Sequence, residues 1–182
     1  MIGEGCRLTG RCIPNKVGTM SASKSVLFVC TGNTCRSPMA EGLFRKAIAD
    51  RDDFTVASAG VAAYPGSPVS QETRVLLKSR GVELEGFESQ PVSEELIDQA
   101  THVFAMTAGH LQALSSLFPD HEDKFYLACE FAEVPGKGLA CDVPDPIGMG
   151  KRAYEDVAKT LDHAIPTIIA FIDQTWQGER GD

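Results

Sequence analysis

Residues 26–44 read VLFVCTGNTCRSPMAEGLF. An apolar run stops at Cys30, a short polar loop carries a second cysteine and an arginine, and a helical pattern then begins. Ser25 to Cys30 are apolar on both faces, as a buried parallel strand is. Met39, Ala40, Leu43, Phe44, Ala47 and Ile48 recur on one helical face. Ser37 suits the N-cap of that helix and Pro38 its first turn. Between strand and helix the backbone must turn with its N–H groups inward. Gly32 removes the steric limit, and Asn33 tolerates a positive φ. Convergent amides beside the positive end of a helix make an anion site. Arg36 adds a planar fork that grips two oxygens of a phosphoryl group. Thiols in such a field react as thiolates, the nucleophilic form, which places Cys30 beneath a bound tetrahedral anion.

Outward from this unit the segments keep alternating. FTVASAG (54–60) reads as a second strand and THVFAMT (101–107) as a third. KFYLAC (124–129) reads as a fourth. Helical patterns cover 73–80, closed by Gly81, then 93–100, 108–118 ending before Pro119, and 151–176 with a kink expected at Pro166. Residues 132–150 are rich in Gly, Pro and Asp and read as one long loop. The expected fold is α/β, a single-domain doubly wound four-stranded parallel sheet with helices on both faces. Ligands bind such sheets at the carboxyl ends of the strands. Cys30 and the 132–150 loop then share one rim.

Bulk properties narrow the classes. The chain has 182 residues and a formal net charge of −8, which argues against general nucleic-acid binding. No apolar run approaches the roughly 20 residues of a membrane span. Residues 1–24 lack the apolar core of a secretory signal and read as a disordered extension, or as sequence upstream of a second start at Met20. The domain proper is expected at 25–178, with a short tail at 179–182. The six cysteines show no small-scaffold disulfide spacing and read as free thiols of a cytoplasmic protein. No histidine lies at metal-ligand spacing, so neither a metal nor a cofactor is expected.

A bare Cys-x5-Arg pattern arises in such a composition with roughly 0.3 chance matches, so its context carries the weight. In that context VLFVCTGNTCRSPMAEGLF resembles the phosphate-binding loop of the low-molecular-weight protein tyrosine phosphatase family. The resemblance continues through SAG (58–60), FAMT (104–107) and the Asp-Pro of DVPDPIG (142–148), and covers 25–177. It implies a cysteine-dependent protein phosphatase acting on phosphorylated protein side chains. Cys30 would be the nucleophile that becomes a phosphocysteine, Arg36 the transition-state clamp, and Asp145 the general acid and later base. Thr31, Gly32, Asn33, Thr34 and Cys35 would complete the phosphate loop, with Ser37 supporting the thiolate. Asp142 competes for the acid role, against a reading as a solvated loop carboxylate.

Thr34 leans towards the arginine-phosphatase branch of the family, whose loop looks like CTGNTCRS; tyrosine-directed members usually carry Ile there. The smaller polar side chain leaves room for a guanidinium. Ile147 stands where both branches often carry an aromatic residue, so a phosphotyrosine substrate stays open. Cys35 reads either as a disulfide partner protecting Cys30 or as a small buried loop residue. Arsenate reductases of this fold need two relay cysteines after the third strand, and AMTAGHLQALSSLF has none. A non-catalytic phosphate-binding or redox-sensing module would be expected to lack the acid.

Overall fold

The computed structural model describes residues 24–176. Its centre is β1 (Lys24–Cys30), buried from Val26 onward. β2 (Phe54–Gly60) and β3 (His102–Ala105) pair with it in parallel, and β4 (Phe125–Leu127) pairs in parallel with β3. The order β2-β1-β3-β4 is the doubly wound arrangement that strand–helix alternation implies. The extension and tail read from the sequence fall outside the described residues, apart from Lys24, which already opens β1.

Alternation of side chains along β1 divides the core. Val26 and Phe28 face α1 (Arg36–Ala47) and α5 (Lys151–Thr175), where Met39, Phe44, Leu161, Ile168 and Ile172 are buried. Leu27 and Val29 face α3 (Glu94–Gln99) and α4 (Ala108–Leu117) through Ile97 and Leu114. α2 (Gln71–Ser79) lays Leu76 and Leu77 into the first of these layers.

Ser70, Ser93 and Thr107 cap α2, α3 and α4, each accepting from the amide three residues on. α1 departs from expectation. Ser37 is not its N-cap; it lies inside the helix, which starts behind Cys35 without a side-chain cap. The first-turn amides are left for the loop, and the Ser37 hydroxyl turns to Cys30. The long loop after β4 also departs: Glu133–Val134 (β5) and Gly138–Leu139 (β6) form a small antiparallel hairpin. Gly136 and Gly138 take positive φ at its turn. Residues 119–124 form a 3-10 segment where a connection was expected. α5 runs continuously through Pro166. The carbonyl that loses its donor belongs to Asp162, on the exposed side of the helix.

At the amino end of the sheet Lys24 and Arg51 pair with Asp53 and Asp173, tying β1 to the end of α5. These partners hold both carboxyls well below the usual carboxylate range. Nearby His102 is buried against Phe104, Tyr126, Phe171 and Trp176. Burial, assisted by the Lys24 charge, pushes it from 6.5 down to about 4. Between these values the unfolded chain takes up a proton that the folded chain refuses. Stability is therefore complete above pH 6.5 and declines as pH falls towards 4, whereas Asp53 and Asp173 lose theirs only at lower pH. The Tm should fall across pH 6.5–4, and His102→Phe should flatten that slope. An unchanged slope in the variant would assign it to other groups.

Candidate active site

The loop between β1 and α1 is held from behind by the end of β2. Val61 N donates to Cys30 O and Ala62 N to Thr31 O, each at 2.9 Å. Such closeness requires a glycine at position 60. A Cβ there would overlap the Thr31 carbonyl oxygen and lie 2.9 Å from Asn33 N, which explains the SAG triplet physically. Gly60→Ala should lower stability by about 1–3 kcal/mol and displace the loop. Thermal melts with and without inorganic phosphate check this; an undiminished phosphate-induced rise in Tm would contradict it.

Asn33 is the hub of the loop. It sits at φ +54°, a conformation Asn tolerates. Its Nδ2 donates to Ser37 Oγ and Ser58 Oγ, both at 2.9 Å, and its Oδ1 accepts from Gln90 N at 2.9 Å. Ser58 donates onward to Glu41 at 2.6 Å, and burial pushes Glu41 above the usual carboxylate range. This buried polar set is satisfied member by member, which makes the loop rigid.

The Cys30 sulfur lies at the floor of this arrangement, in a residue only 2% exposed. Asn33 N donates to it at 3.3 Å, and Ser37 Oγ is 3.0 Å away. Because Ser37 accepts from Asn33, its own proton is free for the sulfur or for Ala59 O, which is more distant at 3.3 Å.

Arg36 is buried, and its Nη2 lies 2.9 Å from Asp145 Oδ2 and 3.4 Å from Thr31 Oγ1. Asp145 comes from the segment after β6, which is anchored by Val143 N on Met106 O at 2.8 Å. Its side chain stays half-exposed, and Ile147 N donates to its Oδ1 at 3.2 Å. Asp142 is not a merely solvated carboxylate: its Oδ1 accepts from Ala108 N at 2.8 Å, at the start of α4. Of the two carboxylates, only Asp145 contacts Arg36.

The remaining expected residues fall around the same rim. Thr34 is partly exposed, and its carbonyl accepts from Ser70 N at 2.9 Å. Ile147 is 64% exposed, beside the Asp145 turn. Cys35 is buried, with its sulfur 3.5 Å from Tyr154 OH. Burial and that thiol push the Tyr154 phenol up to about 12. Cys129 and Cys141 neighbour each other away from the helix after β3; burial, then the Cys141 thiol, push Cys129 up to about 12. Among the described residues no group of three or more His, Cys, Asp or Glu side chains is arranged to hold a metal ion. Nor is any helix there long and apolar enough to cross a membrane.

Sequence reasoning missed the supporting residues Glu41 and Gln90, which no local pattern marks. It also left His110 unassigned, although Thr107-x-x-His110 at the carboxyl end of β3 puts an imidazole on this rim. A cysteine sulfur met by Asn33 N and Ser37 Oγ, in one loop with a buried arginine paired to a half-exposed carboxylate, is an arrangement chemically suited to transfer of a tetrahedral anion.

Residues 25–177 match the model of the low molecular weight phosphotyrosine protein phosphatase family. A protein-arginine-phosphatase of Geobacillus stearothermophilus is 39% identical over 140 residues, covering 77% of this chain and 90% of its own. The low molecular weight protein-tyrosine-phosphatase YfkJ of Bacillus subtilis is 32% identical over 157 residues, 84% of this chain and 98% of its own. Its crystal structure superposes with a TM-score of 0.78, covering 87% of this chain and 99% of that one at 31% identity. A cysteine-to-serine mutant of the YwlE arginine phosphatase, solved with its active-site serine phosphorylated, superposes with a TM-score of 0.73 at 35% identity. It covers 84% of this chain and 98% of that one.

Proposed function

Because the chain belongs to the low molecular weight phosphotyrosine protein phosphatase family, we propose that it dephosphorylates protein side chains through a phosphocysteine at Cys30, with phosphoarginine as its substrate. The catalytic unit of this reading is residues 25–178. The observation that carries it is the contact of Asn33 N and Ser37 Oγ with the sulfur of Cys30, in a loop whose Thr31 hydroxyl is also met by the Arg36 of the Arg36–Asp145 pair.

In this mechanism the phosphoryl oxygens take the inward N–H groups of the loop and the Arg36 guanidinium, and Asp145 gives up its ion pair with Arg36. The Cys30 thiolate attacks phosphorus as the bond to the leaving group breaks. A protonated Asp145 carboxyl passes its proton to the leaving nitrogen or oxygen. Water then attacks the phosphocysteine, Asp145 accepts the water proton, and phosphate departs with the thiolate restored. Ser37 and Asn33 stabilise the sulfur at both ends of the cycle.

Thr34 supports the arginine reading: a short polar side chain at the mouth leaves space for a planar guanidinium and a hydroxyl to bond it. The similarity to a protein named for arginine dephosphorylation favours the same side. A phosphotyrosine substrate is the second reading, favoured by the 32% identity to a tyrosine phosphatase. The family acts on phosphorylated proteins in either case. The covalent step has a direct test. Cys30→Ser, incubated with a phosphoarginyl peptide, should gain one phosphoryl group mapped by mass spectrometry to residue 30; the related arginine phosphatase mutant has been solved with its active-site serine phosphorylated. Phosphorylation at another residue, or none, would overturn it.

A further inference from the structure

The residue after Cys30 has its carbonyl held by the end of β2, like its neighbour, but its side chain is fastened to a different element. Thr31 Oγ1 lies 2.7 Å from His110 Nε2, on the first turn of α4. The other ring nitrogen, Nδ1, lies 2.9 Å from Thr107 Oγ1, and Thr107 also accepts from His110 N at 3.2 Å. Thr31 Oγ1 in turn accepts from Arg36 Nη2 at 3.4 Å. A continuous line of side chains therefore runs from the cap of α4 through His110 and Thr31 to the arginine of the site.

His110 is only 8% exposed, whereas Thr31 is exposed at the mouth. A threonine hydroxyl at a solvent-facing loop position rotates freely unless something holds it, and here the imidazole holds it. Burial, then the Arg36 charge, push His110 below its ordinary value, against the pull of Asp142 and Asp145. The ring is thus neutral at pH 7, with one donor and one acceptor nitrogen, and both threonine hydroxyls can satisfy either tautomer.

The side-chain partners of Arg36 among the described residues are Asp145 and Thr31. When a phosphoryl group arrives, Asp145 must release the guanidinium to serve as acid. Thr31 is then the protein side chain that remains bonded to it. We propose that His110 is a positioning residue for the reaction: it locks the Thr31 hydroxyl and, through it, the orientation of Arg36 as that arginine changes partners. The proposal rests on the phosphatase reading. His110 touches neither phosphorus nor the sulfur; it acts through Thr31.

The test compares steady-state kinetics of wild type, His110→Phe, His110→Gln, Thr31→Val and the His110→Phe/Thr31→Val double variant on p-nitrophenyl phosphate. Phenylalanine keeps the ring volume without the nitrogens, and glutamine restores a hydrogen-bonding group at similar reach. His110→Phe and Thr31→Val should each lower kcat roughly 10- to 100-fold, with KM moved less than about threefold. The double variant should be no slower than the worse single one, because both changes break one line. His110→Gln should recover part of kcat. Thr31 is exposed, so Thr31→Val folds even if His110→Phe does not, and carries the test alone. Wild-type kcat in Thr31→Val, or kinetic losses that simply multiply in the double variant, overturn the proposal while the phosphatase reading stands. A wild type inactive on every phosphorylated substrate overturns both.

Discussion

Cys30→Ser should lower kcat by roughly four orders of magnitude or more, while inorganic phosphate and oxyanion analogues still bind with little change. The asymmetry follows from where the interactions reside. Binding uses the loop amides and Arg36, and serine leaves them in place: Asn33 keeps its bonds to Ser37, Ser58 and Gln90, none of which involves the sulfur. Chemistry uses the sulfur itself, and a serine hydroxyl with the same neighbours is a far weaker nucleophile and a far poorer leaving group in the second step. Stopped-flow turnover together with calorimetric titration of phosphate checks both halves. Retained turnover would remove Cys30 from the mechanism; lost phosphate binding would show that the variant had disturbed the loop rather than the chemistry.

Asp145→Asn should slow hydrolysis by about 10²–10⁴ for substrates with poor leaving groups, and much less for p-nitrophenyl phosphate, whose leaving group hardly needs a proton. Asparagine keeps one acceptor oxygen, which can still take Ile147 N, so the turn should persist; its NH2 group, a donor, replaces the oxygen that accepted from Arg36, and that contact is lost. Asp142→Ala separates the two carboxylates. Its loss removes an acceptor from the amide that opens α4, which costs about 1 kcal/mol of stability. Its kinetic effect should be small and independent of leaving group. A series of aryl phosphates with graded leaving-group acidity would read this directly. A steeper dependence in Asp142→Ala than in Asp145→Asn would reverse the assignment.

Much of the fold was legible because period and punctuation agree. The apolar run ending at Cys30, the helical stripe from Met39 and the repeated strand–helix alternation each point to one parallel sheet. The SAG triplet stood out only through the resemblance; the structure supplies its cause, the near-contact of Gly60 with the Thr31 carbonyl. Ser37 was misread because a serine before a helix is ordinarily a cap. At this loop the hydroxyl is diverted to the sulfur, and the helix starts without a side-chain cap. The β5–β6 hairpin hid inside a Pro/Gly-rich stretch whose strands are two residues each, too short for any alternation. His110, Glu41 and Gln90 were invisible for another reason. His110 and Gln90 reach the loop from sequence-distant elements that only the packed sheet brings together, and Glu41, on the helix that follows the loop, joins its network only through Ser58 of β2.

On the proposed reading this loop, with Thr34 at its mouth, acts on phosphoarginine. This is tested most directly by kcat/KM on phosphoarginyl and phosphotyrosyl peptides of matched sequence, for wild type and Thr34→Ile in parallel. Wild type should favour phosphoarginine, and isoleucine, by filling the space of the guanidinium and removing the hydroxyl, should reverse the preference by at least about tenfold. Phosphotyrosine preferred by both proteins would contradict it, making Thr34 a neutral loop residue and the enzyme a tyrosine phosphatase.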